Sequence, residues 1–500
     1  MGLAICKTRT TFGIQALSVS VEVHLSHGLP AFNIVGLPET AVKESKDRVR
    51  SALINSEFEF PMGRITVNLS PAHIPKTGSG FDLAIAIGIL AASNQIPKLV
   101  LETHEFVAEL GLNAKLHRVN ALLPIALAAK KAGQTLIIAF SNAQEAQILQ
   151  YEQLLLAKTL REVCSYICLG TSLATSESMP PPLQHKSLLD WSDIKGQQHA
   201  KNAMKIAACG GHSILLSGPP GSGRTMLAKR FPSILPEITE EQSLENAVIH
   251  SIYGQHFNEI YSRRPPFRAP HHSASHVALV GGGNPPKPGE VSLAHHGILF
   301  LDEFPEFQRR TIETLREPLE SGTICISRAA THIEFPAKFQ LIAAMNPCPC
   351  GYHGHQEIEC NCSPEQIRRY QKKISGPILD RIDLQITVSA LTQHELLTFS
   401  STGENSEQIK ASVISIQQIQ LERQGCLNAQ LSAQACETQC NLGKDEHAFL
   451  SHALPRLKLS ARGFHRCLKV ARTIADSYFE QRVTCNELKQ ALSYRQTLGS

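Results

Sequence analysis

The octapeptide Gly218-Pro219-Pro220-Gly221-Ser222-Gly223-Arg224-Thr225 stands between an apolar run at 214–216 and a helical start at 226–228. Strand, glycine-rich loop and helix N-terminus in that order make a phosphate cradle. Glycines let backbone N–H groups turn inward, and the helix dipole favours an anion. The ligand such a loop takes is a nucleoside triphosphate, with the Thr225 hydroxyl directed at its Mg²⁺. One residue departs from the pattern. Where a Lys would put a compact charge between the β- and γ-phosphates, this chain has Arg224, which is longer, planar and forked. Charge is kept and fit is altered.

About 80 residues on, Gly297-Ile298-Leu299-Phe300-Leu301-Asp302-Glu303 reads as a strand buried on both faces. Its end delivers two carboxylates to the crevice where open parallel sheets bind ligands. Neighbouring strand residues point opposite ways, so the two acids can differ in role. Asp302 is expected to hold Mg²⁺ with Thr225, and Glu303 to activate the water that attacks the γ-phosphate. A further strand, 339–345, ends at Asn346, an amide suited to orient that water or sense the phosphate. Later comes Arg381, whose fork either stabilises the phosphoryl group of a neighbouring subunit or pairs with Asp380 or Asp383. Spacing leaves both roles open.

Two further clusters carry chemistry. Cys348, Cys350, Cys360 and Cys362 form Cys-x-Cys, nine residues, Cys-x-Cys, a set that suits tetrahedral Zn²⁺, with His353 and His355 in the same loop as substitutes. Segment 255–290 is rich in Gly and Pro and carries Arg263, Arg264, Arg268 and Lys287 with His271, His272 and His276. It reads as an ordered basic loop able to track phosphates, and Arg268 is a candidate DNA contact.

The elements that must position these groups need more than one core, since 500 residues exceed an ordinary domain. Residues 1–168 alternate β-like runs (17–23, 32–35, 65–69, 135–139) with helical patterns (41–55, 82–93, 122–132), which argues an α/β or α+β unit. Small polar residues and three prolines mark 169–188 as a linker. The phosphate-loop unit then spans 189–395, opening with Trp191 as a packing anchor and a helix from 198 to 208. Residues 396–500 are helical, with a Gln- and Ser-rich stretch at 401–445 read as a long helix and a mobile connector.

Formal net charge is +4, which permits nucleic-acid binding through local patches without requiring it. No apolar run approaches the roughly 20 residues that span a bilayer, and the first 13 residues lack the features of a signal peptide. A cytoplasmic protein is expected. Its 14 cysteines then read as reduced thiols or metal ligands, those such as Cys209, Cys325 and Cys467 being packing residues.

Phosphate loop, acidic strand, Asn strand end and later arginine, in that order, resemble an AAA+ ATPase. More narrowly, Arg268-Ala269-Pro270-His271-His272-Ser273-Ala274-Ser275, Lys287-Pro288-Gly289-Glu290-Val291-Ser292-Leu293-Ala294-His295, Asn346-Pro347-Cys348-Pro349-Cys350-Gly351 and Leu459-Ser460-Ala461-Arg462-Gly463-Phe464-His465-Arg466 resemble the ComM/YifB family, the Mg-chelatase-like branch of AAA+ proteins. The segment 73–84 resembles the Lon protease-like fold, with Gly80 at the nucleophile position and 122–124 at the lysine position, so proteolysis is not expected. The resemblance implies an α/β fold class: an N-terminal Lon protease-like (S5-type) domain, an AAA+ core and a C-terminal helical lid. It further implies a hexameric ring that hydrolyses ATP and acts as a DNA helicase, promoting branch migration during natural transformation. By position, Arg462 would be the sensor arginine of the lid, with Arg466 its nearest competitor. A hairpin at 321–335 would face the ring pore and bring Arg328 to the DNA backbone. Two readings compete: a nucleotide-gated DNA-binding scaffold that does not hydrolyse, kept alive by Arg224, and a Mg-chelatase-like metal-insertion ATPase.

Overall fold

A computed structural model describes residues 2–175, 189–254, 263–328, 331–355, 357–390, 404–457 and 460–495. Most of the expected 169–188 linker and the hairpin tip at 329–330 lie outside these residues.

The first unit is built on an eight-stranded mixed sheet, in the order Ala174–Thr175, Leu154–Ala157, Thr135–Ala139, His104–Val107, Gly2–Phe12, Gln15–Ser26, Arg64–Ser70, Ala31–Val35. Gly2–Phe12 and Gln15–Ser26 pair antiparallel through a two-residue turn in which Gly13 takes φ +60°. Burial alternates along Gly2–Phe12, as a strand with one covered face requires. The helix Asp82–Ala92 is buried at every position against this sheet. Gly88 is what lets it approach, since a Cβ there would come 2.6 Å from the Val23 side chain. The linker begins later than expected, because Ala174–Thr175 still pairs with Leu154–Ala157.

The second unit carries a five-stranded parallel sheet in the order Phe267–Arg268, Ile298–Leu301, Gln340–Met345, Ile214–Ser217, Leu384–Thr387. Ile214–Ser217 lies between the fourth and fifth strands of the chain order, so the loop after it opens at the topological switch point where such sheets bind ligands. Trp191 is buried, and its backbone N–H donates to Ser406 Oγ at 2.7 Å. A hairpin, Thr323–Arg328 with Thr331–Pro336, roots Ile324, Ile326, Ile333 and Phe335 in the core.

The C-terminal residues form helices Ser406–Gln424, Ala433–Cys440, Lys444–Leu457, Ala461–Ser477 and Cys485–Ser493. The glutamines of 401–445 cap and brace rather than marking a connector. Gln417 donates to the Ala208 carbonyl at 2.8 Å and Gln420 to Cys209 at 3.0 Å, while Gln340 reaches Ala207 at 2.9 Å. These are among the last carbonyls of helix Gln198–Gly210, where a helix runs out of its own donors; the Ala207 carbonyl also accepts from the Gly211 and His212 N–H groups.

The two α/β units are packed together. Ala121 N–H donates to the Ser251 carbonyl at 3.1 Å, Ser251 Oγ donates to buried Glu145, and Ala247, Val248 and Ile252 share one apolar cluster with Leu122, Leu123 and Ala126. No helix among the described residues is long and apolar enough to cross a membrane.

Candidate nucleotide site

Ile214–Ser217 is buried throughout and feeds straight into the loop. A Cβ at Gly218 would lie 2.2 Å from the Val388 carbonyl oxygen, so only glycine lets the chain turn there. Gly221 and Gly223 take φ +76° and +87°, aiming the loop's amides inward ahead of helix Arg224–Arg230.

Parallel pairing of Ile298–Leu301 with Gln340–Met345, and of the latter with Ile214–Ser217, brings three strand ends together. Thr225 Oγ1 donates to Asp302 Oδ2 at 2.8 Å. A hydroxyl and a carboxylate so placed fit the donor set for Mg²⁺ beside phosphate. Glu303 takes the left-handed conformation at φ +52°, a strained position for a side chain with a Cβ. Its carboxylate is half-exposed and lies 2.8 Å from His272 Nδ1.

Arg224 folds back across the loop. It donates to the Met345 carbonyl, to Asn346 Oδ1 at 2.8 Å and to the Pro219 carbonyl at 3.4 Å. Burial pulls the guanidinium below its ordinary pKa, while nearby Asp302 acts in the opposite sense. Arg224 and Asn346, expected to serve the phosphates separately, are thus joined to each other.

The other two arginines lie elsewhere. Arg381 is buried and donates to Glu320 and to the Pro377 carbonyl at 2.9 Å, so its partner is neither Asp380 nor Asp383. Arg462 donates to the other Glu320 oxygen at 2.8 Å. Arg381, foremost, and Arg462 hold the Glu320 carboxyl below the usual range. Arg462 lines a cleft of about 960 Å³ to which neither the phosphate loop nor the acid pair contributes. It therefore groups with Arg381 rather than with this chain's own loop. Arg466, its competitor, donates to buried Asp383 at 2.7 Å.

The four cysteines converge. Sγ–Sγ separations are 3.3 Å for Cys348–Cys350, 3.5 Å for Cys350–Cys360 and 3.7 Å for Cys348–Cys360, and Cys350 N–H points at Cys362 Sγ at 3.4 Å. Tetrahedral Zn–S bonds of about 2.3 Å imply about 3.8 Å between sulfurs, so the set fits the ion. The Tyr352 N–H, foremost, holds the Cys350 thiol down to about 6. Neither histidine is in this set: His353 offers its backbone N–H to Cys348, and His355 Nδ1 accepts from Glu357 and Ile358 N–H groups. Gly351, at φ +88°, abuts the phosphate loop, for a Cβ there would lie 2.7 Å from the Pro220 ring.

The DNA candidates are less direct. Arg268 makes a two-pronged pair with Glu290 at 2.6 and 2.8 Å, so its fork is committed within the protein and ties the loop together. A contact between Arg268 and a DNA phosphate would have to compete with that pair. Arg328 pairs with Thr331 at the end of the hairpin, and its side chain lies outside the described residues. Segment 263–290 is also not all loop, since His276–Val280 is helical. In the first unit, Ser79 donates to Glu109 and buried Lys76 to the Pro71 carbonyl, so among the described residues Ser79 has no lysine partner.

Sequence reasoning missed His272 as a neighbour of Glu303. The parallel pairing of Phe267–Arg268 with Ile298–Leu299 brings the loops after both strands together, and no spacing rule exposes that.

Comparison with known proteins agrees with this geometry. Residues 190–396 match the family described as "Magnesium chelatase, subunit ChlI", residues 21–142 "Subunit ChlI of Mg-chelatase", and residues 403–495 "Magnesium chelatase, subunit ChlI C-terminal". Competence protein ComM of Haemophilus influenzae is 49% identical over 501 residues, covering 99% of this chain and 98% of that protein. YifB of Salmonella typhimurium is 45% identical over 499 residues, covering 99% and 97%. YifB of Escherichia coli is 44% identical over 498 residues, with the same coverage.

Proposed function

The chain belongs to the ComM/YifB family of Mg-chelatase-like proteins, and from that premise we propose that it is an AAA+ ATPase whose rings, hexamers in this reading, remodel DNA. The substrate is single-stranded and branched DNA, and the activity is helicase-driven branch migration when an incoming strand recombines during natural transformation. The name of the Haemophilus relative, competence protein ComM, supports that setting.

The observation that carries the ATPase reading is the Thr225–Asp302 contact of 2.8 Å at the switch point of the parallel sheet. Thr225 and Asp302 would hold Mg²⁺, which when bound neutralises phosphate charge and makes the γ-phosphorus easier to attack. Gly218 to Gly223 supply amides to the phosphates. Glu303 takes the proton of the attacking water, and Asn346 orients that water once Arg224 lets go of its amide. Arg381 and Arg462, gathered on Glu320 and away from this chain's own loop, are offered to the phosphate of the next subunit. The four-cysteine loop takes Zn²⁺ and braces the phosphate loop through Gly351 and Pro220. The first unit is a non-proteolytic Lon-like domain, consistent with Ser79 bound to Glu109.

A second reading is favoured by Arg224 alone: a nucleotide-gated DNA-binding scaffold that does not hydrolyse. The full-length relationship to ComM makes a metal-insertion subunit the weaker alternative. Unwinding of forked DNA with ATP, against a non-hydrolysable analogue, separates the first two. Unwinding with ATP alone supports the motor; binding under both conditions without unwinding supports the scaffold.

A further inference from the structure

Immediately after the acid pair, the turn Phe304–Glu306 forms one wall of an open groove of about 850 Å³ whose other wall is helix Pro364–Gln371. Arg309, Arg368, Arg369, Lys372 and Lys373 line it, against two carboxylates, Glu306 and Glu365. All five cations are exposed. Lys373 pairs with Glu306 at 3.1 Å, and Arg368 Nε donates to the Pro364 carbonyl at 3.3 Å. Among the described residues, Arg309, Arg369 and Lys372 have no ion-pair partner.

Arg368 and Lys372 are like charges four residues apart at the last turn of the helix and its C-cap, and of the five cations only Lys373 is neutralised by an ion pair among the described residues, with Glu306. The opposite face of the helix is fixed in the protein: Tyr370 is buried and Gln371 Nε2 donates to the Pro347 carbonyl at 3.2 Å. The helix that carries or adjoins four of the cations is therefore fixed in place. Drawn from two segments, at 309 and 368–373, and lining an open groove of about 850 Å³, the five match a chain of phosphates better than a single small anion.

We propose that this groove binds the sugar-phosphate backbone of nucleic acid, as a track separate from the hairpin at 323–336. This rests on the DNA reading above. It adds a physical link: one wall of the groove follows Glu303 directly, and the other is tied through Gln371 to the loop after Asn346. A strand in the groove would thus contact the segment that follows Glu303 and the helix that is hydrogen-bonded to Pro347.

The test uses the full chain without nucleotide and a labelled single-stranded oligonucleotide, with affinity measured across a salt series. Arg369→Gln/Lys372→Gln is expected to weaken binding at low salt and to reduce the slope of log affinity against log salt by about 1.4, at about 0.7 for each phosphate no longer neutralised. Arg369→Lys/Lys372→Arg should keep the wild-type slope, and Mg·ATP retention should be the same in all three. An unchanged slope in the neutralised variant overturns the groove while leaving the DNA reading intact. Equal weakening in the charge-conserving variant also overturns it, because shape rather than charge would then be responsible. Failure of the wild-type chain to bind the oligonucleotide at any salt removes both this proposal and the DNA reading.

Discussion

Arg224 reaches two acceptors at the next strand end through separate nitrogens. Its fork reaches the Met345 carbonyl and the Asn346 amide at once, so the residue meant for the phosphates is occupied by the residue meant to sense them. Engaging a triphosphate through this guanidinium must therefore break or redirect that contact, whereas a lysine, whose three donors sit on one nitrogen, has no second arm with which to span both acceptors. Arg224→Lys is expected to raise ATP turnover by about 10²-fold, the scale of one well-placed transition-state donor. Equal steady-state rates in the two proteins would show that the fork is harmless. Glu303 meets a similar constraint, because His272 lies 2.8 Å from the carboxylate that should receive a proton from water. Removing that partner in His272→Ala is expected to raise turnover in the absence of DNA and to shrink the further rise on adding DNA. A fall in basal rate would instead make His272 an aid to Glu303.

At the scale of elements, the helix Glu240–Tyr253 is held to the core by Glu245, which receives His295 Nε2 at 3.3 Å and His296 Nε2 at 2.6 Å. His295 Nδ1 accepts the Lys338 N–H at 2.9 Å, which fixes the ring proton on Nε2 and argues against metal binding through that atom. Burial, foremost, lowers the His295 pKa from its ordinary 6.5 to about 4. Between these values the unfolded chain binds the proton that the folded chain refuses, so stability falls as pH drops through that window, by up to about 3 kcal/mol. Denaturant melts of wild type and His295→Gln at neutral and acid pH should show a smaller acid loss in the variant; equal losses would contradict the assignment. The cysteine loop gives a second element-scale expectation. Chelator-washed protein should keep close to one zinc per chain, and stripping it should weaken ATP binding, because Gly351 rests on Pro220. Phosphate loop, acidic strand and four cysteines were legible because each is a local pattern. The strand Gly2–Phe12 was not, since its Lys and Arg look solvated although Arg9 makes a two-pronged bond to buried Glu105. Nor were the glutamine caps, whose acceptors lie about 200 residues away. Such partners are set by topology, which no window of sequence contains.

For the whole molecule, two contacts among the described residues tie the first unit to the second. One is the apolar seam along Glu240–Tyr253, and the other is the Gly13 turn, where an added Cβ would lie 2.8 Å from Ile333 on the hairpin. The hairpin root and the first sheet are therefore in contact there. The seam in turn reaches Glu245, which His295 and His296 tie to the chain just before the acidic strand. All of this matters only if the switch-point crevice holds a nucleotide. The decisive measurement is equilibrium binding of ATP to the purified chain, with and without Mg²⁺, alongside Thr225→Val, which keeps the shape and removes the hydroxyl. Mg²⁺-dependent retention by the wild type and a marked drop in affinity in the variant are expected; no retention by the wild type, or retention indifferent to both magnesium and the hydroxyl, would contradict a nucleotide site at this crevice.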